Sequence, residues 1–508
     1  MRNENMGGKY DAVVIGSGMG GLSCATLLAK EGLKVLVCEQ SSKPGGYCQN
    51  FRRKGFTFSP AVHFLNEFGP NGQMKDAFRI LGIPPLIHFC AQKTQRRIIT
   101  PDFNLTLSTD IECFKNDLIR CFPREKDSIH DYFTECKLLV KSLEGLKVQS
   151  IEVISLKEKL KLLQEGIVRC RSLLRYRRKS GGDFLDSHFK DPLLKYLLIF
   201  DARKDCSVFT CAGPVMWAMK GDLCCIEDGG VEALPELFIK SYKEYGGGIL
   251  FNTLVEKIVV ENGTARGVRF KGGQEISSRY VISNGDALST FVHLVGSDLL
   301  PTRFVRDLQL KKLSGATFTL YMGVDLDLKE MGFDGAPIHY YNTIGEDPWK
   351  EMDKGKGDLG RGKITIRMDS IKNPMCAPEG KHTVVVSASV PYELFKEGDA
   401  VSPRYKEIKH ETADKIISMA EKVIPGLSSS IVCLDGSTPV TYERETLNSQ
   451  GASMGWYLSA KDISRFRSQK TPIDNLYQAG HWTFPGGGVP MVILSGINAA
   501  KLVLKGMR

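Results

Sequence analysis

The apolar positions near the N-terminus fall into two short runs separated by a stretch of helical spacing. Ala12-Val13-Val14-Ile15 is a β-branched run without polar interruption, the pattern of a strand buried in a parallel sheet. Leu22, Ala25, Leu28 and Ala29 then recur at helical intervals until Gly32, a natural C-terminal stop. Lys34-Val35-Leu36-Val37-Cys38 is the second strand, and Glu39 closes it.

Further along, the pattern changes several times. Beyond Gly46 it is irregular, and from about Asp110 to Phe200 it has the charged, leucine-rich look of a helical insertion. Cys206 to Cys225 is aromatic and small, with Phe209, Pro214 and Trp217, and reads either as the lining of an apolar pocket or as plain core. Val231 to Tyr245 reads as a helix ended by Gly246-Gly247-Gly248. Ile249–Phe251, Val255–Val260, Gly267–Phe270 and Tyr280–Asn284 read as strands. Leu310 to Thr438 mixes strands (Phe318–Tyr321, Thr383–Val386) with loops and a helix near Tyr405 to Val423, a β-rich platform. The last segment is a short strand, Asn475 to Gly480, then Pro485-Gly486-Gly487-Gly488 and a helix from about Pro490. No internal repeat or low-complexity tract is apparent.

These elements predict an α/β protein in which a Rossmann-like domain is interleaved with a domain of β-sheet plus helical insertion. The expected division is 1–90, 229–297 and 440–508 for the nucleotide unit, and 91–228 and 298–439 for the substrate unit. At 508 residues, 42% hydrophobic and 25% charged, the chain has ordinary globular values and room for two or more units. Met1-Arg2-Asn3-Glu4-Asn5 runs straight to the first strand, leaving no room for a signal peptide. No 18 apolar residues are uninterrupted; Val489 to Leu504 is broken by Pro490, Ser495, Asn498 and Lys501. The fourteen cysteines form no C-x-x-C pair, so reduced, buried thiols in a cytoplasmic protein are expected, with no metal site.

The net charge of +10 concentrates between Lys157 and Lys179, where nine basic residues stand against Glu158 and Glu165 with leucines at helical spacing. One reading is a basic amphipathic helix resting on an anionic membrane face; the other is a solvated helix packed on its own domain. Nucleic acid is disfavoured, because no recognition motif accompanies the charge.

The candidate chemistry begins at Gly16-Ser17-Gly18-Met19-Gly20-Gly21, directly between the first strand and its helix. Gly16 permits the tight turn, Gly18 lets backbone amides approach a pyrophosphate, and Gly21 lets the helix pack closely on the strand. The helix N-terminus offers free N–H groups and the positive end of its dipole. Glu39 lies 18 positions after Gly21, about where an acid grips ribose hydroxyls. Gly355-Lys356-Gly357-Asp358-Leu359-Gly360 fits the same glycine spacing, but a charged stretch precedes it and no amphipathic helix follows; it reads as a solvated loop. The turn at Gly486 repeats the logic of the first: a strand ends in glycines and a helix begins. A nicotinamide cofactor on one Rossmann unit needs no such partner. A flavin does, because charge developing at N1/O2 of its reduced ring calls for a second source of positive potential.

From Tyr10 to Leu504 the sequence resembles flavin amine-oxidase-like proteins, and within them the phytoene desaturase, carotenoid isomerase and retinol saturase family. Gly16, Gly18, Met19, Gly20, Gly21, Glu39, Gln40, Gly45 and Gly46 match the FAD fingerprint of that family. Asn475 to Gly480, with Gly487, Gly488, Val489 and Pro490, looks like its C-terminal flavin motif, and Val255 and Asn284 fall at further cofactor positions. Phe56 to His63 looks like a Phe-Asp-x-Gly-x-His segment in which Ser59 and Ala61 replace the acid and the glycine while His63 remains. The resemblance implies bound FAD, a fold of glutathione-reductase/amine-oxidase type and a long apolar polyunsaturated substrate, a carotenoid, isoprenoid or retinoid-like lipid. It implies an oxidoreductase that desaturates, saturates or isomerises carbon–carbon bonds. Oxygen or a quinone would accept electrons, or NAD(P)H would donate them. His63 is either an acid/base or electrostatic group above the ring, or a buried histidine bonded to backbone. A flavin amine oxidase and a non-catalytic FAD-bearing lipid escort are the alternatives.

Overall fold

The computed structural model describes residues 9–69, 72–143, 152, 175–176, 179–200, 202–220, 223–226, 229–352, 357, 359–398, 400–462 and 468–507. Most of the basic Lys157–Lys179 segment lies outside these residues.

One seven-stranded sheet is built on the N-terminal pattern. Strand β1 (Tyr10–Ile15) leads into helix α1 (Met19–Lys30) and strand β2 (Val35–Cys38). Helix α2 (Ala233–Glu244) then feeds β3 (Gly248–Leu250), followed by β4 (Val255–Glu261), β5 (Thr264–Phe270) and β6 (Glu275–Ser283). Near the C-terminus come β7 (Leu476–Gln478) and helix α3 (Val489–Met507). The strands β7, β6, β1, β2 and β3 are parallel neighbours. The first three residues of β6 pair with β5 instead, in an antiparallel extension that ends in β4. Ala12, Val13 and Val14 are fully buried, as an uninterrupted apolar strand between covered faces requires.

Helix α1 is buried on nearly all sides because it lies between this sheet, α2 and α3. A Cβ on Gly496 of α3 would stand 2.1 Å from the Gly20 carbonyl oxygen, so the two helices cross at backbone contact over the first turn of α1. By length and composition α3 could cross a membrane, yet 56% of its most apolar window is buried inside the protein.

The second seven-stranded sheet has the order 431–437, 317–324, 382–389, 363–367, 338–341, 94–99, 104–108. Helix Tyr405–Glu421 packs on one of its faces through Ile416, Met419 and Ala420. Helices Ile111–Cys121, Lys126–Leu143, Gly181–Asp186, Pro192–Leu198 and Val208–Lys220 share a separate core that includes Phe114, Tyr132, Phe133 and Phe184.

Several elements differ from the sequence pattern. The irregular stretch after Gly46 contains a hairpin, Phe51–Arg53 with Phe56–Phe58, and the strands Thr94–Ile99 and Asn104–Ser108. The expected boundary at residue 90 falls inside strand Phe89–Ala91, which pairs with Cys224–Ile226. Of the look-alike glycine motif, Gly357, Leu359 and Gly360 are described; they lead through a short turn into strand Lys363–Arg367, and no helix follows. The Phe209–Trp217 region is a helix whose inner face is core, while Trp217 meets Phe64 edge-on at 6.0 Å.

Candidate cofactor site and adjoining cleft

Beyond β1 the chain turns through Gly16 at φ 88°, a left-handed conformation that glycine takes without strain. Gly18 precedes α1 in extended conformation and no side chain caps the helix, so its first-turn amides are available to an anion. Met19 is buried as the first helical residue. A Cβ on Gly18 would stand 2.7 Å from Asn284 Nδ2, one on Gly20 2.5 Å from Asn284 Oδ1 and 2.8 Å from the Gly480 nitrogen, and one on Gly21 2.2 Å from the Gly16 carbonyl oxygen. Asn284, at the end of β6, therefore joins the first glycine turn to Gly480 at the end of β7. Its Oδ1 is buried with no hydrogen-bond partner among the described residues.

Gly45 and Gly46 close over the same turn. The Gly45 amide donates to the Ser17 carbonyl at 2.9 Å, Gly18 and Gly45 form a parallel bridge, and both Gly45 and Gly46 have positive φ. On its other side Gly45 abuts Pro235 of α2. The Glu39 carboxylate, 7% exposed, accepts from the Ser17 amide (2.7 Å) and hydroxyl (2.6 Å) through one oxygen and from the Ser41 amide (2.8 Å) through the other. The Thr253 amide donates to the Glu39 carbonyl at 2.8 Å, which sets the start of β4 at Val255 beside the end of β2. Gln40 points elsewhere: its amide donates to the Glu445 carbonyl at 3.1 Å.

The second turn is tied to the first through β7. The Ala479 amide donates to the Ser283 carbonyl, and Gln478 Nε2 to that of Gly285 at 2.7 Å. Gly486 and Gly488 have φ of 110° and 101°, and Gly487 packs on Met454. Helix α3 starts at Val489 with Pro490 in its first turn, where a missing N–H costs nothing. These residues fit a dinucleotide: uncapped first-turn amides beside a turn in which a Cβ on Gly18, Gly20 or Gly21 would collide, a fixed carboxylate at the strand end and a second glycine turn before α3.

Next to the cradle lies a network that sequence spacing does not announce. Asn448 Oδ1 accepts from Trp482 Nε1 at 2.9 Å and stands 3.3 Å from His481 Nε2. Asn448 Nδ2 donates to the Tyr47 hydroxyl (3.2 Å), which donates to the Ala452 carbonyl (3.1 Å). Burial pushes the His481 pKa down to about 4. The unfolded chain then binds a proton that the folded chain refuses below the ordinary histidine value. Stability from this group is complete above about pH 6.5 and is lost as pH falls toward 4, by up to about 3 kcal/mol. Denaturant titrations at pH 7 and pH 4.5 should show a smaller acid loss in His481→Gln than in the unmodified chain.

A cleft with a cavity volume of about 80 Å³, partly open to solvent, takes in Asn50, a few residues beyond Gly46. Gly230, a few residues before the Pro235 that abuts Gly45, forms part of its wall, and so do Ser59 and His63. Ser59 Oγ donates to the Val62 carbonyl at 2.7 Å, closing its own turn, and the Tyr442 hydroxyl holds the Pro60 carbonyl at 2.9 Å. The carboxylate beside the histidine comes from a distant segment: His63 Nδ1 lies 3.1 Å from Asp369 Oδ2, and the His63 side chain is 6% exposed. Burial and the Arg367 charge outweigh Asp369 and hold His63 below its usual pKa. Burial raises Asp369, but His63, Arg367 and Lys372 together keep it below the ordinary carboxylate value. At neutral pH the imidazole is therefore neutral, Nδ1–H donates to the ionised Asp369, and Nε2 keeps its lone pair. His63 thus has a carboxylate partner rather than the backbone partner that was its alternative.

Comparison with known proteins adds the lineage. Residues 14–81 match the NAD(P)-binding Rossmann-like domain family. The chain is 29% identical to chloroplastic prolycopene isomerase of Daucus carota, over 97% of its own length and 80% of that protein. It is 26% identical to all-trans-retinol 13,14-reductase of Danio rerio (92% and 82%) and 23% identical to the lycopene-forming phytoene desaturase of Pseudescherichia vulneris (98% and 99%). Among solved structures, an oxidoreductase from Methanosarcina mazei superposes with TM-score 0.62 at 18% identity, covering 96% of this chain and 98% of that one. A cofactor-site redesign of putrescine oxidase superposes with TM-score 0.65 at 13% identity, covering 98% and 99%. The chain is thus an enzyme with the amine-oxidase type of fold and a relative of the phytoene desaturase, carotenoid isomerase and retinol saturase family.

Proposed function

We propose that the protein is an FAD-dependent oxidoreductase acting on carbon–carbon bonds of a long, apolar, polyunsaturated lipid, by desaturation, saturation or cis–trans isomerisation. The observation that carries the reading is the meeting of the first glycine turn with Gly480 at Asn284, in a chain whose cleft wall holds the Asp369–His63 pair. The full-length kinship with proteins named for isomerising, reducing and desaturating polyenes supports the substrate class.

In this reading the α1 amides and Gly16 to Gly21 hold the pyrophosphate, Glu39 grips ribose hydroxyls, and the Val255 backbone flanks the adenine. Gly45, Gly46 and the start of α3 at Gly487 to Pro490 would hold further parts of the cofactor. Bound FAD supplies two-electron transfer to or from a carbon centre. The chain itself supplies orientation, exclusion of water, and a base: His63 Nε2 is placed to hold the proton that leaves or joins the neighbouring carbon, and Asp369 fixes its tautomer. The cofactor falls to segments 1–90, 229–297 and 440–508, while the substrate cleft takes wall from both sets of segments, Val62, His63 and Val231 from one and Arg367, Asp369 and Lys372 from the other. Oxygen or a quinone serves as acceptor, or NAD(P)H as donor, in a cytoplasmic protein that touches a membrane face.

Anaerobic mixing of the oxidised and the reduced protein with a carotenoid, retinol and a polyenoic fatty acid tests the reading. At least one polyene should change the flavin spectrum and its own absorbance. Silence from all three, with hydrogen peroxide released from an amine panel, would replace the polyene reading with amine oxidation.

A further inference from the structure

The cleft beside His63 is amphiphilic, and its charges come from one stretch of chain. Arg367, Asp369, Lys372 and Asn373 all lie at or just after the end of strand Lys363–Arg367, whereas Val62, Leu65, Ile226 and Val231 supply apolar wall. Asp369 is engaged by His63, and an Arg367 terminal nitrogen donates to Ser387 Oγ at 3.2 Å. Lys372 stretches along Gly335, its Cγ 3.2 Å and its Cε 3.3 Å from the point where a Gly335 Cβ would stand. It forms no salt bridge among the described residues. With His63 neutral, Arg367 and Lys372 outnumber Asp369 by one positive charge. A pure hydrocarbon would leave the Lys372 ammonium in the cleft without a counter-ion of its own, which is unfavourable. A carboxylate supplies that counter-ion and accepts from the ammonium.

Taking this cleft as the substrate site of the proposed function, we infer that the substrate is a polyene carrying a singly charged carboxylate head. Lys372 pairs with the head, Arg367, Asn373 and Gln92 surround it, and the unsaturated chain lies on the apolar wall toward Val231.

The test is a fluorescence titration of the cofactor-loaded protein with cis-parinaric acid, its methyl ester and a carotene, in the unmodified chain and in Lys372→Met and Lys372→Arg. The acid should bind about tenfold or more tighter than the ester. Lys372→Met should weaken the acid by about tenfold and leave the ester unchanged, which also shows that the variant is folded; Lys372→Arg should keep the preference. Equal binding of acid and ester, or an acid affinity indifferent to Lys372→Met, overturns the head-group inference while the polyene reading stands. Tighter binding of farnesyl monophosphate than of the acid overturns the carboxylate in favour of a phosphate. If neither acid, ester nor carotene binds, the cleft is not the substrate site and the polyene reading falls with the inference.

Discussion

Alanine at Gly20 is expected to give a chain that folds but purifies without its flavin. The added Cβ would stand 2.5 Å from Asn284 Oδ1, 2.8 Å from the Gly480 nitrogen and 2.9 Å from its Cα. Two of these three atoms are backbone, so no side-chain rotation relieves the contact. Nor can α1 slide away, because the Gly20 carbonyl already meets the α3 backbone at Gly496. Overpacking of this kind costs about 1–3 kcal/mol, and the strain falls on the link between the first turn and Gly480. The visible absorbance per chain after gel filtration should drop close to zero, while the far-ultraviolet circular dichroism stays near that of the unmodified protein. Gly315→Ala is the control: a Cβ there meets nothing within 4 Å, and the variant should keep full flavin content.

The second large effect is expected at the histidine. His63→Gln should lower turnover of a polyene by about 10²–10⁴-fold with flavin content unchanged, the range for loss of a positioned base. Asp369→Asn should also be slow, because an amide can donate to Nδ1 and so place the proton on Nε2, removing the lone pair that faces the cleft. Its pH profile separates positioning from simple damage. Activity should rise with pH as His63 loses its proton, with the acid limb below the ordinary histidine value, since burial and Arg367 depress the group. Asp369 opposes that depression, so its removal should move the limb to lower pH. An unmoved limb would mean that the pair is structural.

How much of this is visible in the sequence depends on how local the cause is. The cradle is legible because the turn at Gly16 and the packing of Gly21 on it act within one strand–turn–helix unit, and Glu39 follows at a spacing set by that unit. The contacts of Gly18 and Gly20 with Asn284 and Gly480 come from distant segments and are not legible. The Asp369–His63 pair is not legible, since its members stand 306 positions apart and meet only through the folding of the second sheet against the segment after β2. Resemblance drew attention to a missing acid at Ser59; the structure shows a serine closing its own turn there and a carboxylate arriving from elsewhere. Asn448 and His481 were hidden for the same reason, as an ordinary asparagine in a loop and a histidine beside a tryptophan. Strand Thr94–Ile99 escaped notice because a bulge at Thr94/Arg96 breaks its alternation, leaving only Gln95 and Ile98 buried. The hairpin Phe51–Phe58 has strands of three residues, too short for a period to show.

The most direct test of the cofactor site is the identity of the nucleotide released when the purified, unmodified protein is denatured in acid. A first glycine turn joined to Gly480 at Asn284, with a second glycine turn leading into α3, predicts about one FAD per chain, recognised by its chromatographic mobility and by conversion to FMN and AMP with phosphodiesterase. Release of NAD or NADP in its place, or of no nucleotide from protein purified with added FAD, would contradict a split flavin site.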